Sequence, residues 1–150
     1  MLFRSFKVAP QNPDTTKRVL MGRITDPPGL GNYVRYFTKV NSGRFLPALN
    51  SVFNDEFVDG TTYTAQADPG IDRNNPPANG ENFFHKGDTV TFKLSNIDKD
   101  TYTFWSTWEF NQQSVGNPFS QPGKVTGNIS NGALGAFCGY ASWYGTVIAR

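Results

Sequence analysis

DTVTFKLSNIDKDTYTFWSTWEFNQQSVG, residues Asp88 to Gly116, carries two periodicities in succession. Val90, Phe92 and Leu94 alternate with Thr89, Thr91, Lys93 and Ser95, the period-2 mark of a strand with one buried face. After Ile97 the alternation stops. Asp98 can cap a helix start, and Asp98 and Asp100 place negative charge where the first turn favours it. Ile97 before the cap and Tyr102 in the next turn can form a hydrophobic staple. Thr101, Phe104, Trp105, Trp108 and Gln112 then share one face at helical spacing, and Gly116 with Pro118 ends the pattern. This predicts one α-helix over about residues 98–114. Thr, Tyr, Phe and Trp are poor helix formers, so this helix depends on packing its Trp face against a sheet.

Outward from this stretch the chain reads as strands and turns. NYVRYFTKV (Asn32–Val40) alternates, with Val34, Tyr36, Thr38 and Val40 facing one way and Tyr33, Arg35, Phe37 and Lys39 the other. KRVLMGRIT (Lys17–Thr25) reads as the first strand, and DPPGLG (Asp26–Gly31) as a strong turn. FLPALNSVF (Phe45–Phe53) reads as a strand held to a sheet edge by Pro47. NDEFVDG (Asn54–Gly60) reads as a short strand ending in a turn, followed by TTYTAQA (Thr61–Ala67). Residues 68–88 form a long polar loop, of the kind that is often functional or mobile. AFCGYASWYGTVIAR (Ala136–Arg150) reads as the closing strand.

Composition agrees. The 150 residues suit a single β-rich domain over residues 1–150, with enough chain to bury a core. The apolar supply is weighted to 13 Phe, 6 Tyr and 3 Trp, while 15 Gly and 10 Pro break the chain often. Aromatic and β-branched residues suit pleated, half-buried surfaces. The expected fold is mainly β: an antiparallel β-sandwich or open barrel with one helix over a face or end.

The net charge of +2 hides a split: residues 1–50 carry eight Lys/Arg and two Asp/Glu, and residues 51–150 carry six and ten. No dense basic run or RNA-binding signature accompanies the basic third. Its cations are expected on solvated outer strand faces, and no nucleic-acid partner is expected. No run of 18 apolar residues is present to span a bilayer. MLFRSFKVAPQNP at the start is not a signal peptide, because Arg4 and Lys7 break its short apolar run.

Few residues suggest chemistry. Gly127, Gly132, Gly135 and Gly139 match no phosphate-cradling spacing, and no helix start follows them. The bland reading is a loop leading into the last strand. Cys138 is a single thiol and His85 a single imidazole, with nothing to bring them together, so a small buried thiol is expected. Asp68, Asp72, Asn74 and Asn75 resemble the start of a calcium loop, but Pro76 takes the next ligand position and no Glu closes it. No catalytic residue, metal or cofactor is therefore expected. The aromatics remain: Tyr33, Trp105, Trp108, Trp143 and Tyr144 can stack on sugars or form an interface, or build the core.

Four segments resemble domain-of-unknown-function family 4249, a family of predicted outer-membrane lipoproteins of Bacteroidetes. They are DPPGLGNYVR (Asp26–Arg35), DEFVDG (Asp55–Gly60), KGDTVTFKLSNIDKDTYTFW (Lys86–Trp105) and NPFSQPGKVTGNISNGALGAFCGYAS (Asn117–Ser142). The resemblance runs from about Arg23 to Ser142 and fits the C-terminal half of a typical member. It implies a cell-envelope location and a membrane link through an anchor outside this chain, since Cys138 is no lipid-anchoring cysteine. It also implies a non-enzymatic accessory to a TonB-dependent outer-membrane receptor in nutrient uptake. The alternative is an oligosaccharide-binding module using exposed aromatics. The residues expected to meet a partner or ligand are Tyr33, Arg35, Trp108, Trp143 and Tyr144. Gly127, Asn128, Gly132 and Gly135 are expected to form a structural turn.

Overall fold

The structure, a computed structural model, describes residues 2–10, 14–78, 82–119, 121 and 123–150, with backbone alone for 2–8 and 10. Residues 79–81 of the polar loop, and Ser120 and Pro122 of the proline-flanked lead-in, lie outside the described residues. The elements in order are β1 (Leu2–Pro10), β2 (Lys17–Thr25), β3 (Tyr33–Val40), β4 (Leu46–Asn54), β5 (Thr62–Ala67), β6 (Phe84–His85), β7 (Thr89–Ile97), α1 (Lys99–Ser114) and β8 (Ala141–Ile148).

They form two antiparallel sheets and one helix. The first sheet runs β1-β2-β5, with β6 pairing the start of β2, and the second runs β4-β3-β7-β8. The barrel is not closed; the fold is a β-sandwich. β3 and β7 are central and run in unbroken register from Tyr33↔Ile97 to Val40↔Val90. Their even-numbered residues Val34, Tyr36, Val90, Phe92 and Leu94 meet Leu20, Ala67 and Phe84 of the first sheet in one core cluster. Tyr36 stacks on Phe92 at 5.3 Å between centroids. Tyr36, Phe84 and Phe92 fill the centre of the sandwich, where large rings remove much apolar area from water, while many of the other rings lie partly or fully exposed.

The helix spans Lys99–Ser114 and is capped as expected, the Thr101 amide donating to Asp98 Oδ1 at 2.7 Å. Among its buried residues is Glu109, outside the face expected to pack. Three other expectations need correction. Leu2–Pro10 is a strand although its short basic sequence lacks clean alternation; it pairs β2 along its length, with an irregularity between Phe3 and Ser5. Asn54–Gly60 is not a short strand. β4 ends at Asn54, and Asp55–Gly60 is a turn closed by Val58 N donating to Asp55 O and Thr61 N to Val58 O. The closing strand is Ala141–Ile148 alone, since the backbone at Phe137 bonds the Asn128 side chain instead of a neighbouring strand. Pro47 does sit on an edge strand. No described helix is long and apolar enough to cross a membrane.

Candidate functional site

The outer face of the second sheet carries Tyr33, Arg35 and Tyr144 of the sequence-predicted site residues, with Trp108 on the helix above it and Trp143 on the opposite face. α1 packs over β4 and β3. Arg35, expected on a solvated face, is only 3% exposed, a correction forced by the helix above it. β4 is irregular opposite Arg35–Phe37, and this brings Ser51 inward. Arg35 Nε donates to Ser51 Oγ at 3.1 Å, and Ser51 in turn donates to Glu109 through both its hydroxyl and its amide. Arg35 Nη1 donates to Tyr140 Oη at 3.1 Å, as does Trp105 Nε1 at 2.9 Å. The guanidinium carbon lies 3.5 Å from the Trp105 ring centroid. Burial pulls the Arg35 pKa down, opposed by the Tyr140 hydrogen bond and the Glu109 charge. This network latches helix, sheet and the segment before β8 together, and it withdraws the Arg35 cation from any partner.

Beside it lies a row of alternating cations and rings. Lys93 Nζ sits 4.9 Å from the Phe37 centroid, 5.7 Å from Tyr140 and 6.0 Å from Tyr144. Lys39 approaches Phe45 at 5.4 Å, and Arg73 covers Trp108 at 4.6 Å. Such contacts contribute about 0.5–1 kcal/mol each at exposed sites. The rings are not coplanar: Phe45 and Tyr144 cross at 62°, and Phe37 and Tyr140 at 71°.

The five candidate residues do not converge. Tyr33 packs on Tyr102 at 5.1 Å over the first turn of α1. Arg35 is sealed beneath the helix. Trp108 is half-buried and lines a groove. Trp143 and Tyr144 are 42% and 53% exposed, but they pair with Leu94 and Lys93 and so point to opposite faces of the sheet.

The segment from Gly127 to Tyr140 is a strap. A Cβ on Gly127 would lie 2.2 Å from Gly135 O, so only glycine permits that crossing. Asn128 bridges the strap from Nδ2 to Phe137 O and from Phe137 N to Oδ1, each at 2.8 Å. Gly135 turns at φ +117°. Between strap and helix lies a groove of about 490 Å³ lined by Phe104, Trp108, Val125, Ile129 and Leu134. Leu134 is 98% exposed and Phe137 84%, with Phe110, Val115 and Phe119 also exposed.

A second, apolar cleft of about 330 Å³ opens between the sheets, lined by Ile24, Tyr36, Phe53, Phe57, Tyr63 and Phe92 among others. At the same end, the β2–β3 loop and the β4–β5 turn bring Asp26, Asp55 and Asp59 within 4.8 Å of one another. Burial and the Asp55 charge push the Asp26 pKa up, while the nearby Gly60 amide favours the charged form. Burial raises the Asp55 pKa as well, but the amides of Asn32 and Gly31 and the Asn32 side chain reverse it, leaving it below the usual range. Sequence reasoning misses this trio, because Asp26 and the other two acids lie in separate turns 29 residues or more apart. It also misses Glu109 and Ser51, because a lone acid in a helix and a serine in a strand read as solvated. In the polar loop, Asp72 is taken by Arg44 and by the Asn74 amide at 3.1 Å. His85 sits on β6 opposite Lys17, in the first sheet, while Cys138 is half-buried beside Arg35 on the second.

The architecture is therefore a helix-covered antiparallel sandwich with exposed apolar side chains on the strap and around the end of α1, and others, Phe57 among them, elsewhere. The chain belongs to the family described as domain of unknown function (DUF4249), whose model matches residues 6–143. No curated protein and no solved structure matches it.

Proposed function

We propose that this protein is a non-enzymatic binding domain of the cell envelope, accessory to a TonB-dependent outer-membrane receptor. The observation that carries the binding role is the exposed apolar set on α1 and the strap, with Leu134 and Phe137 almost fully in solvent beside the Phe104–Trp108 groove. Large apolar side chains exposed beside a groove favour a protein partner. The receptor and the envelope location come from what the resemblance to the family implies. Sugar stacking finds less support, since it needs exposed coplanar rings and the rings of this face cross steeply.

The test is co-purification. The tagged protein is expressed in its native host, extracted in mild detergent, and its partners identified. A stoichiometric TonB-dependent receptor is expected, and Leu134→Asp or Phe137→Asp should reduce its recovery at least tenfold. Recovery of no specific partner would overturn the accessory role. A glycan array with Trp143→Ala and Trp108→Ala controls would then take its place.

A further inference from the structure

Asp26 is 1% exposed, and neither of its carboxylate oxygens has a hydrogen-bond partner among the described residues. A buried carboxylate without partners is costly, and such groups are normally paired or bound to a cation. The neighbours here are two more acids. Asp55 is also buried, and Asp59 is exposed at the rim. One oxygen from each lies within 4.8 Å of the others. That span matches the distance across a Ca²⁺ ion with oxygen ligands at about 2.3–2.6 Å.

The surrounding backbone orients these carboxylates. Gly31 N and Asn32 N donate to the two oxygens of Asp55 at 3.1 and 2.9 Å, and Asn32 Nδ2 adds a bond of 2.9 Å. Gly29 N donates to Asp59 Oδ1 at 2.6 Å. Asp26 N donates to Thr61 O at 2.9 Å, clipping the two loops together. Amide donors behind ligating carboxylates fix their orientation and leave further lone pairs free. Of the three, Asp26 alone accepts no hydrogen bond of good geometry, the Gly60 amide lying near without completing one, and one of its oxygens gathers with those of the other two acids.

We propose that Asp26, Asp55 and Asp59 bind a divalent cation, Ca²⁺ in preference to Mg²⁺, at the end of the sandwich where the β2–β3 loop meets the β4–β5 turn. Ca²⁺ accepts irregular oxygen sets, whereas Mg²⁺ demands near-octahedral geometry and sheds its water reluctantly. Three carboxylates open to solvent on the Asp59 side suit a dissociation constant of about 0.1–1 mM. The bound ion would hold the Asp55–Gly60 turn, which carries Phe57 and Val58 at the wall of the apolar cleft. The site would thus set how open that cleft stands.

The test uses the full chain after treatment with a chelator. At 10 mM Ca²⁺ the melting temperature should rise by about 3–10 °C, and much less with Mg²⁺. Terbium should give emission sensitised by Tyr63, whose phenol feels the charges of Asp26 and Asp55, and Ca²⁺ should displace it. Asp59→Asn, at an exposed position, should lose both signals while melting near the metal-free parent. Asp26→Asn should lose both while melting at or above it, because it removes a buried repulsion. Asp72→Asn in the other acidic loop should keep both. Absence of any response in the parent, or a full response in Asp26→Asn and Asp59→Asn, would overturn the site. An equal response to Mg²⁺ would overturn the preference.

Discussion

The two faces of β3 are built on opposite principles. On one, Val34, Tyr36 and Thr38 meet the first sheet, and the Tyr36–Phe92 stack fills the middle of the sandwich. On the other, Arg35 lies under α1 among Ser51, Glu109, Tyr140 and Trp105. The first face is held by removing apolar area from water, which is non-directional and tolerates conservative exchange. The second is held by directed bonds between charged and polar groups, where a missing partner leaves a buried charge with its desolvation cost uncompensated. A single strand therefore carries a tolerant surface and an intolerant one.

The sharpest break of this contrast is Phe92→Ala. It removes a fully buried ring from the tolerant side and should cost about 3–5 kcal/mol through lost transfer energy and a cavity. A melting temperature roughly 10 °C lower is expected, with Phe92→Leu recovering much of it. On the other face, Glu109→Ala should cost about 3 kcal/mol, because Arg35 keeps its buried charge. The decisive comparison is the double replacement Arg35→Met with Glu109→Met, which should return close to the parent stability. If the double variant is as unstable as the sum of the singles, the polar face is not a coupled unit.

A smaller effect concerns the strap that the second face helps to anchor through Tyr140. A Cβ on Gly135, at φ +117°, would meet nothing closer than Ile129 Cδ1 at 3.9 Å, so Gly135→Val acts chiefly through backbone strain. It should cost about 1–3 kcal/mol. A variant that melts with the parent would remove the structural role of this turn.

The same contrast explains which parts of the molecule can be read from sequence. Alternation in Val34–Val40 and Val90–Leu94 places β3, β7 and their core residues correctly, because hydrophobic burial leaves a period in the chain. The Asp98 cap is legible for a similar reason, since capping is local. Alternation also puts Arg35 on its correct face of the strand, but it does not reveal that a helix lies above that face. Glu109 and Ser51 are 58 residues apart, and neither sequence neighbourhood signals the other. Asp26 reads as part of a Pro-Gly turn and Asp55 as part of a short strand, so their proximity is visible only where both loops meet at one end. β1 escapes detection because its pairing with β2 stands in for the alternation it lacks. Local and periodic features are readable; long-range polar partnerships are not.

The finest test of the contrast is Asp98→Ala. The cap bonds the Thr101 amide and hydroxyl, and the amide bond is the largest cause holding the Asp98 pKa below the usual carboxylate range. Its loss should cost about 1 kcal/mol and a few degrees of melting temperature at about pH 7. A depressed carboxylate pKa contributes stability that is present above the unfolded value and is lost as pH falls through the folded one. The gap between parent and variant should therefore narrow below about pH 4, and not above it. The helix covers only the polar face, so the loss should register first in Trp105 and Trp108 fluorescence. Amide exchange in β3 and β7 should stay at the protection of the whole sandwich. If those central strands lose protection together with the helix, the two faces unfold as one unit, and the contrast between them is one of chemistry alone and not of stability.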